Sequence, residues 1–261
     1  MFFLQIVMDQ ISRPLLLADY LTVCYNSGGA LAVLALQSLF TLILKHNLDY
    51  PRFFVSLYRL CSVEIFSAKY RTTFFSLLSR ALQSTNLPAY LAAAFIKRLS
   101  FLALHTSSCN ARFCVAQITW LLRKHPQCLR LIHRSASSSN SNSNSSGTGL
   151  DGFREEEDLE AAGAMDSSLW ELLLLEKHYL GSIAELAAAV RDARSTDNGR
   201  DGFHERVEDH LDVSYPPLIE EQLAAIKKKG MQANKVAALA HRPPKRLIAD
   251  DSVIKSCFGV R

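Results

Sequence analysis

Between Gly28 and Leu44 the chain runs for 17 residues without a formal charge, as GGALAVLALQSLFTLIL. No other feature constrains the fold as strongly. A membrane-spanning helix takes about 20 apolar residues, and this run falls just short. Gln37, Ser38 and Thr41 interrupt it, and Lys45-His46 follow. A helix apolar all round is equally suited to the centre of a large helical core. Amphipathic patterns on both sides favour the core. The rival is a nuclear-envelope membrane protein with a span near residues 30–44, the stretch a hydropathy scan flags.

The flanking patterns predict helices with short connections. Ser12 is placed to cap a helix with Pro14 in its first turn and its end near Asn26. The apolar run itself makes the second, with Asn47 as its C-terminal cap. Pro51 opens a third, reaching Cys61. Phe74, Leu77, Leu78 and Ala81 recur at helical spacing within a fourth, from about Lys69 to Ser84. Pro88 starts a fifth, ending near Leu104, and a sixth covers Cys109 to Lys124, stopped by Pro126. No segment alternates with the period of a half-buried strand. Helices with short connections bury their stripes on one another, so the fold class is all-α: stacked antiparallel helix pairs, an armadillo- or HEAT-like solenoid segment. No clean repeat of about 40 residues accompanies it.

Ser135 to Gly149 holds eight Ser and three Asn in fifteen residues, and with the acidic stretch Arg154 to Glu160 it reads as a solvated, disordered loop. Order returns with Ser168 and Glu171, then Ser182 and Glu185, each pair spaced as a capping box. They predict a helical hairpin over Ser167 to Arg194, broken near Gly181. Helices this short need a surface to dock on. Beyond Ser195 the pattern thins into an extended tail with one short helix from Leu218 to Lys229. The expected divisions are therefore 1–134 as helical core, 135–165 as loop, 166–194 as docked hairpin and 195–261 as irregular partner-binding tail.

Charge is uneven along these divisions. Residues 1–134 carry a balance of +10, residues 135–221 of −13 and residues 222–261 of +7. That order suits a partner-binding protein with charged appendages better than a compact enzyme. The six cysteines include no CxxC pair, and Met1 to Val7 lacks the basic start of a secretory signal. Reduced thiols in an intracellular compartment are the expectation.

No catalytic constellation is present: the P-loop, GxSxG and HExxH are all missing. His105, Cys109, Cys114 and His125 match no common zinc spacing, and buried cysteines acting as small hydrophobes fit better. Trp120 and Trp170 read as core aromatics. No catalytic, metal or cofactor residue is therefore assigned, and no cofactor is expected. The candidate contacts are basic: Lys69, Arg71, Lys97, Arg98, Arg123 and Lys124, with few acids nearby. On the helix after Pro88, Leu91, Phe95, Leu99 and Leu102 form the buried stripe, Lys97 points away from it, and Arg98 sits at its margin. Together the six can meet RNA phosphates or an acidic partner surface.

Several ordered strings carry a resemblance. RPLLLADYLTVCYNSGG from Arg13, KHNLDYPRFFVSLY from Lys45, KYRTTFF from Lys69 and LPAYLAAAFIKRL from Leu87 resemble the C-terminal region of the nucleolar complex protein family, its fourth-member branch above all. That family lies within the wider CCAAT-binding-factor/Mak type of domain. His125-Pro126, SSLWEL from Ser167 and His178-Tyr179 continue the match, and Val207 to Tyr215 and Arg242 to Ile248 follow it more loosely. The resemblance covers residues 11–134 and 166–248. It implies a non-enzymatic helical scaffold of the nucleolus in small-subunit ribosome assembly and 18S rRNA maturation. A heterodimer with a larger Nop-fourteen-like nucleolar protein within pre-ribosomal particles is implied too, with possible rRNA contact. The family carries a further N-terminal helical half. This chain begins almost inside the shared domain, as a shortened gene model or a divergent short form would.

Overall fold

The structure is a computed structural model that describes residues 13–84, 87–132, 153, 159–160, 162–192 and 206–230. The Ser/Asn loop, the acids at 155–158, Ser12 and the tail beyond 230 lie outside them. Among the described residues every regular element is helical. The chain divides into two compact units, Met1–Glu220 and Glu221–Arg261. The first holds the helical body, and the second begins inside the last helix.

A 3-10 turn at Pro14–Leu17 leads into α1 (Ala18–Asn26), and α2 (Gly29–His46) follows at once. The reversal between them uses φ of +78° at Gly28 and +64° at Gly29, a region where a Cβ is strained. Asn47, at φ +50°, closes α2 in the left-handed conformation, as its short polar side chain permits. Then come α3 (Phe53–Leu60), α4 (Val63–Ser67) and α5 (Arg71–Leu82). Two long helices, α6 (Ala89–His105) and α7 (Ser108–Lys124), pair across the two-residue connection Thr106-Ser107. Helices packed in pairs make the unit a solenoid-like, all-α fold.

The centre of the core is not the uncharged run. Helix α2 packs on α1 and α5 through Ala32, Val33, Ala35, Leu36, Leu39 and Leu42. Its outer face leaves Leu31, Leu34 and Leu44 exposed. It is the one described helix long and apolar enough to cross a membrane, and 39% of it is buried within the fold. More deeply buried are α7, enclosed without a break from Phe113 to Thr119, and α6, where every residue from Leu91 to Lys97 is enclosed. Helix α6 packs on α7, on α3 and on the chain that returns after residue 160. Four alanines and a serine among its buried positions keep it slim enough for neighbours to approach on all sides.

Aromatic side chains tie the layers together. Phe75 of α5 lies parallel to Phe113 of α7 with ring centroids 4.0 Å apart. Phe66 of α4 meets Phe75 edge-on at 4.8 Å, and Phe74 closes the group at 6.0 Å from Phe66. Tyr58 of α3 stands edge-on to Phe95 of α6. Such pairs add to plain area burial.

After the 3-10 turn Pro126–Leu131 and a second at Ala164–Asp166, the chain forms α8 (Trp170–Leu175) and α9 (Gly181–Asp192). Leu169 N–H donates to Leu131 O at 3.0 Å, joining the two ends of the intervening loop. Helix α8 packs on α6, and α9 packs on α7 and α8. Here three expectations are corrected. Ser168 makes no cap on α8, because Glu171 is turned into the interior. Trp170 is 43% exposed, and Trp120 is only half-buried. Helix α10 (Tyr215–Gly230) begins before Pro216-Pro217, since prolines in a first turn forfeit no hydrogen bond.

Phe75→Ala, which removes the ring central to this cluster, should cost about 3–5 kcal/mol, read as a lowered midpoint in urea denaturation of the full chain.

Candidate functional site

Short helices leave many carbonyls without intrahelical partners, and in this fold long basic and amide side chains from α6 and α7 supply the donors. Arg98 donates from Nε to Cys61 O at 2.8 Å, where α3 ends, while its guanidinium lies over the Tyr58 ring at 5.6 Å. Asn110 Nδ2 donates to Phe66 O at 2.7 Å near the end of α4. Lys124 Nζ gathers three carbonyls at the end of α5: Leu82 at 3.4 Å, Gln83 at 2.7 Å and Ser84 at 2.6 Å. Positive charge is favoured at a helix C-terminus. Partial burial nevertheless pushes the Lys124 ammonium pKa down. Arg71 donates to Val213 O at 2.9 Å, holding the later chain against the start of α5.

Lys97 departs furthest from expectation. Helical register places it away from the buried stripe, yet it is 3% exposed. Its Nζ lies 2.7 Å from Glu171 Oε1 and donates to Ser168 O at 2.7 Å. The Trp170 ring stands 5.4 Å from the same ammonium. The chain returning over α6 covers the face that register alone gives to solvent. Glu171 carries a signal in the sequence, as the one charge in the apolar run LWELLLL, whereas Lys97 is followed at once by Arg98 and reads as ordinary surface charge.

Of the six basic candidates, the structure thus ties Arg71, Lys97, Arg98 and Lys124 to groups within the fold. Lys69, between α4 and α5, and Arg123, near the end of α7, are exposed. The six do not form one surface. What does converge is a cleft of about 540 Å³ walled by Arg80 and Gln83 of α5, Trp120 and Arg123 of α7, and Arg206, Val207, Glu208 and Leu211. Sequence reasoning misses Arg80 and Arg206 because nothing local joins positions 80, 123 and 206.

Nucleophilic and metal chemistry find little support. Burial pushes the Cys61 thiol up to about 12 and Cys128 to about 11, and raises Cys114 well above its usual value. Thiols in that state are protonated at neutral pH and act as small hydrophobes. Among the described residues no three His, Cys, Asp or Glu side chains meet where they can hold a metal ion.

A model of the CBF/Mak21 family matches residues 32–187, from the first turn of α2 into α9. The chain belongs to the CBF/Mak21 family. The match crosses the Ser/Asn loop and takes in both long helices of the central pair. Nucleolar complex protein 4 homolog A of Xenopus laevis is 41% identical over 184 residues, covering 70% of this chain and 34% of the relative. The human nucleolar complex protein 4 homolog is 41% identical over 189 residues, covering 72% and 35%. That of Danio rerio is 36% identical over 222 residues, covering 85% and 40%. The chain thus spans a third or somewhat more of the length of these curated relatives.

Two outcomes are expected from the buried polar groups. Lys97→Ala strands Glu171 and should cost about 3–5 kcal/mol, whereas Lys97→Met with Glu171→Leu should recover most of that loss; urea denaturation of the three chains measures it. The thiols respond to alkali. An unfolded thiol ionises near 9.0 while the folded Cys61 and Cys128 resist until about 12 and about 11. The folded state then binds more protons over that window, so stability is intact below pH 9.0 and falls as pH rises through it. Denaturation midpoints taken across the window should fall, and Cys61→Ala with Cys128→Ala should flatten the decline.

Proposed function

We propose that this chain is a non-enzymatic helical scaffold of ribosome biogenesis in the nucleolus, acting on the small-subunit pathway and 18S rRNA maturation. The observation that carries the reading is the likeness to nucleolar complex protein 4 homologs along the helical body, at 41% identity over 184 residues. In this reading the helical body to residue 134, with the hairpin 166–194 on it, is the platform. Residues 195–261 form a partner-binding tail. A larger nucleolar protein of the Nop-fourteen kind is the partner that the family resemblance implies, within a pre-ribosomal particle.

The geometry suits such a role. Charged side chains are spent on joining helices, and the buried thiols are chemically quiet. A rigid stack of helix pairs presents its surfaces at fixed spacing, which is what assembly on a solenoid requires. A structured-RNA reader built on the six basic candidates is less favoured, since four of them already hold carbonyls or a carboxylate inside the fold.

Epitope-tagged chain expressed in cells should concentrate in nucleoli and co-sediment with particles carrying 18S precursors, and its depletion should make those precursors accumulate. Sedimentation only in free fractions, or only with large-subunit precursors, would overturn the assignment.

A further inference from the structure

The cleft between α5, α7 and the Arg206–Leu211 segment has a composition that selects its occupant. Three arginines, Arg80, Arg123 and Arg206, stand on its rim against a single carboxylate, Glu208. All three are exposed. The guanidinium carbon of Arg80 lies 5.6 Å over the centroid of the Phe40 ring. A cation–π contact of this kind is compatible with N–H donors meeting a carboxylate or phosphate. Trp120, Val207 and Leu211 supply its apolar lining. A cleft of about 540 Å³ accepts a short segment and excludes a folded domain.

Phosphate and carboxylate both suit arginine forks, so the apolar lining of the cleft decides between them. Nucleic acid gains from an open aromatic face on which a base can stack. Trp120 offers none: it packs against the core, and the Lys124 ammonium sits 5.0 Å over its ring. That ammonium is itself held by the three carbonyls at the end of α5. Val207 and Leu211 are the aliphatic part of the lining, beside Ser76, Ser79 and Gln83, and suit a leucine-like side chain. Ser79, also on the wall, is committed to Gln117 at 2.8 Å, which keeps the α5 wall fixed to α7.

We propose that this cleft docks an acidic, leucine-bearing peptide segment of a protein partner, its carboxylates on the three arginines and its aliphatic side chain on Val207 and Leu211. The proposal rests on the scaffold reading and names the chemistry of the partner at one place on the platform.

Fluorescence anisotropy on the full chain tests it, with a labelled peptide of repeating Asp-Glu-Leu as probe and oligouridine of equal charge as competitor. The peptide should bind and weaken as salt rises. Arg80→Glu with Arg123→Glu should reduce affinity at least about tenfold, as expected when charge-assisted contacts are lost. Arg206→Glu alone, outside any helix and safe for folding, should also weaken it, while Lys177→Glu on the exposed turn after α8 should not. Affinity unmoved by the arginine reversals overturns the proposal, as does oligouridine displacing the peptide with equal or greater strength. Sedimentation of the same chains separates the two readings. A chain that enters pre-ribosomal particles but ignores the peptide overturns the cleft alone. One that binds the peptide and never enters those particles overturns the scaffold role alone.

Discussion

The contact between Lys97 and Glu171 governs how the later half of the first unit is held. An ammonium and a carboxylate at 2.7 Å, each nearly sealed from water, are costly to bury separately and tolerable only together. The pair therefore acts as a condition on the fold. The Leu91–Lys97 stretch of α6 can be enclosed only if the chain after residue 166 returns over it in the one register that brings Glu171 to Lys97. The added bond from Lys97 Nζ to Ser168 O fixes the backbone just ahead of α8. An apolar pair at these positions would bury area without choosing a register.

The same logic extends to the helix ends. Helices of five to twelve residues, as α3, α4 and α5 are, gain little stability from their own hydrogen bonds. Their exposed carbonyls would be a liability once neighbours exclude water. Arg98, Asn110 and Lys124 answer that need from helices 37 to 44 residues further along the chain. The two long helices thus do more than contribute apolar stripes. They carry the donors that let three short helices stop inside a packed body.

Much of this architecture is legible in the sequence. The long helices, the breaks at Gly28-Gly29, Asn47 and Pro126, and the all-α class follow from period, punctuation and caps. The five-residue α4 is too short to show a period, so it escapes. Two larger features are not legible, and for related reasons. Period analysis treats a helix as having one buried stripe, so it places Lys97 on a solvent face that the returning chain in fact covers. It also takes the most apolar run, α2, for the central helix. Centrality depends on how many neighbours pack, and the alanine-rich α6 admits more of them. The second gap is the cleft. Arg80, Arg123 and Arg206 are each ordinary surface charge in sequence, and only tertiary packing gathers them.

Net charge by segment is a poor guide to surface chemistry here for a physical reason. Counting assigns every lysine and arginine to solvent, whereas a buried carbonyl competes for the same donors with better geometry and less water. Where helices are short, carbonyls are plentiful, and basic residues are drawn inward to meet them. Arg71, Lys97, Arg98 and Lys124 are drawn inward in this way. Arg80, Arg123 and Arg206 are exposed and line the same cleft. Recognition by this body should accordingly be local and geometric rather than a diffuse attraction spread over its basic half.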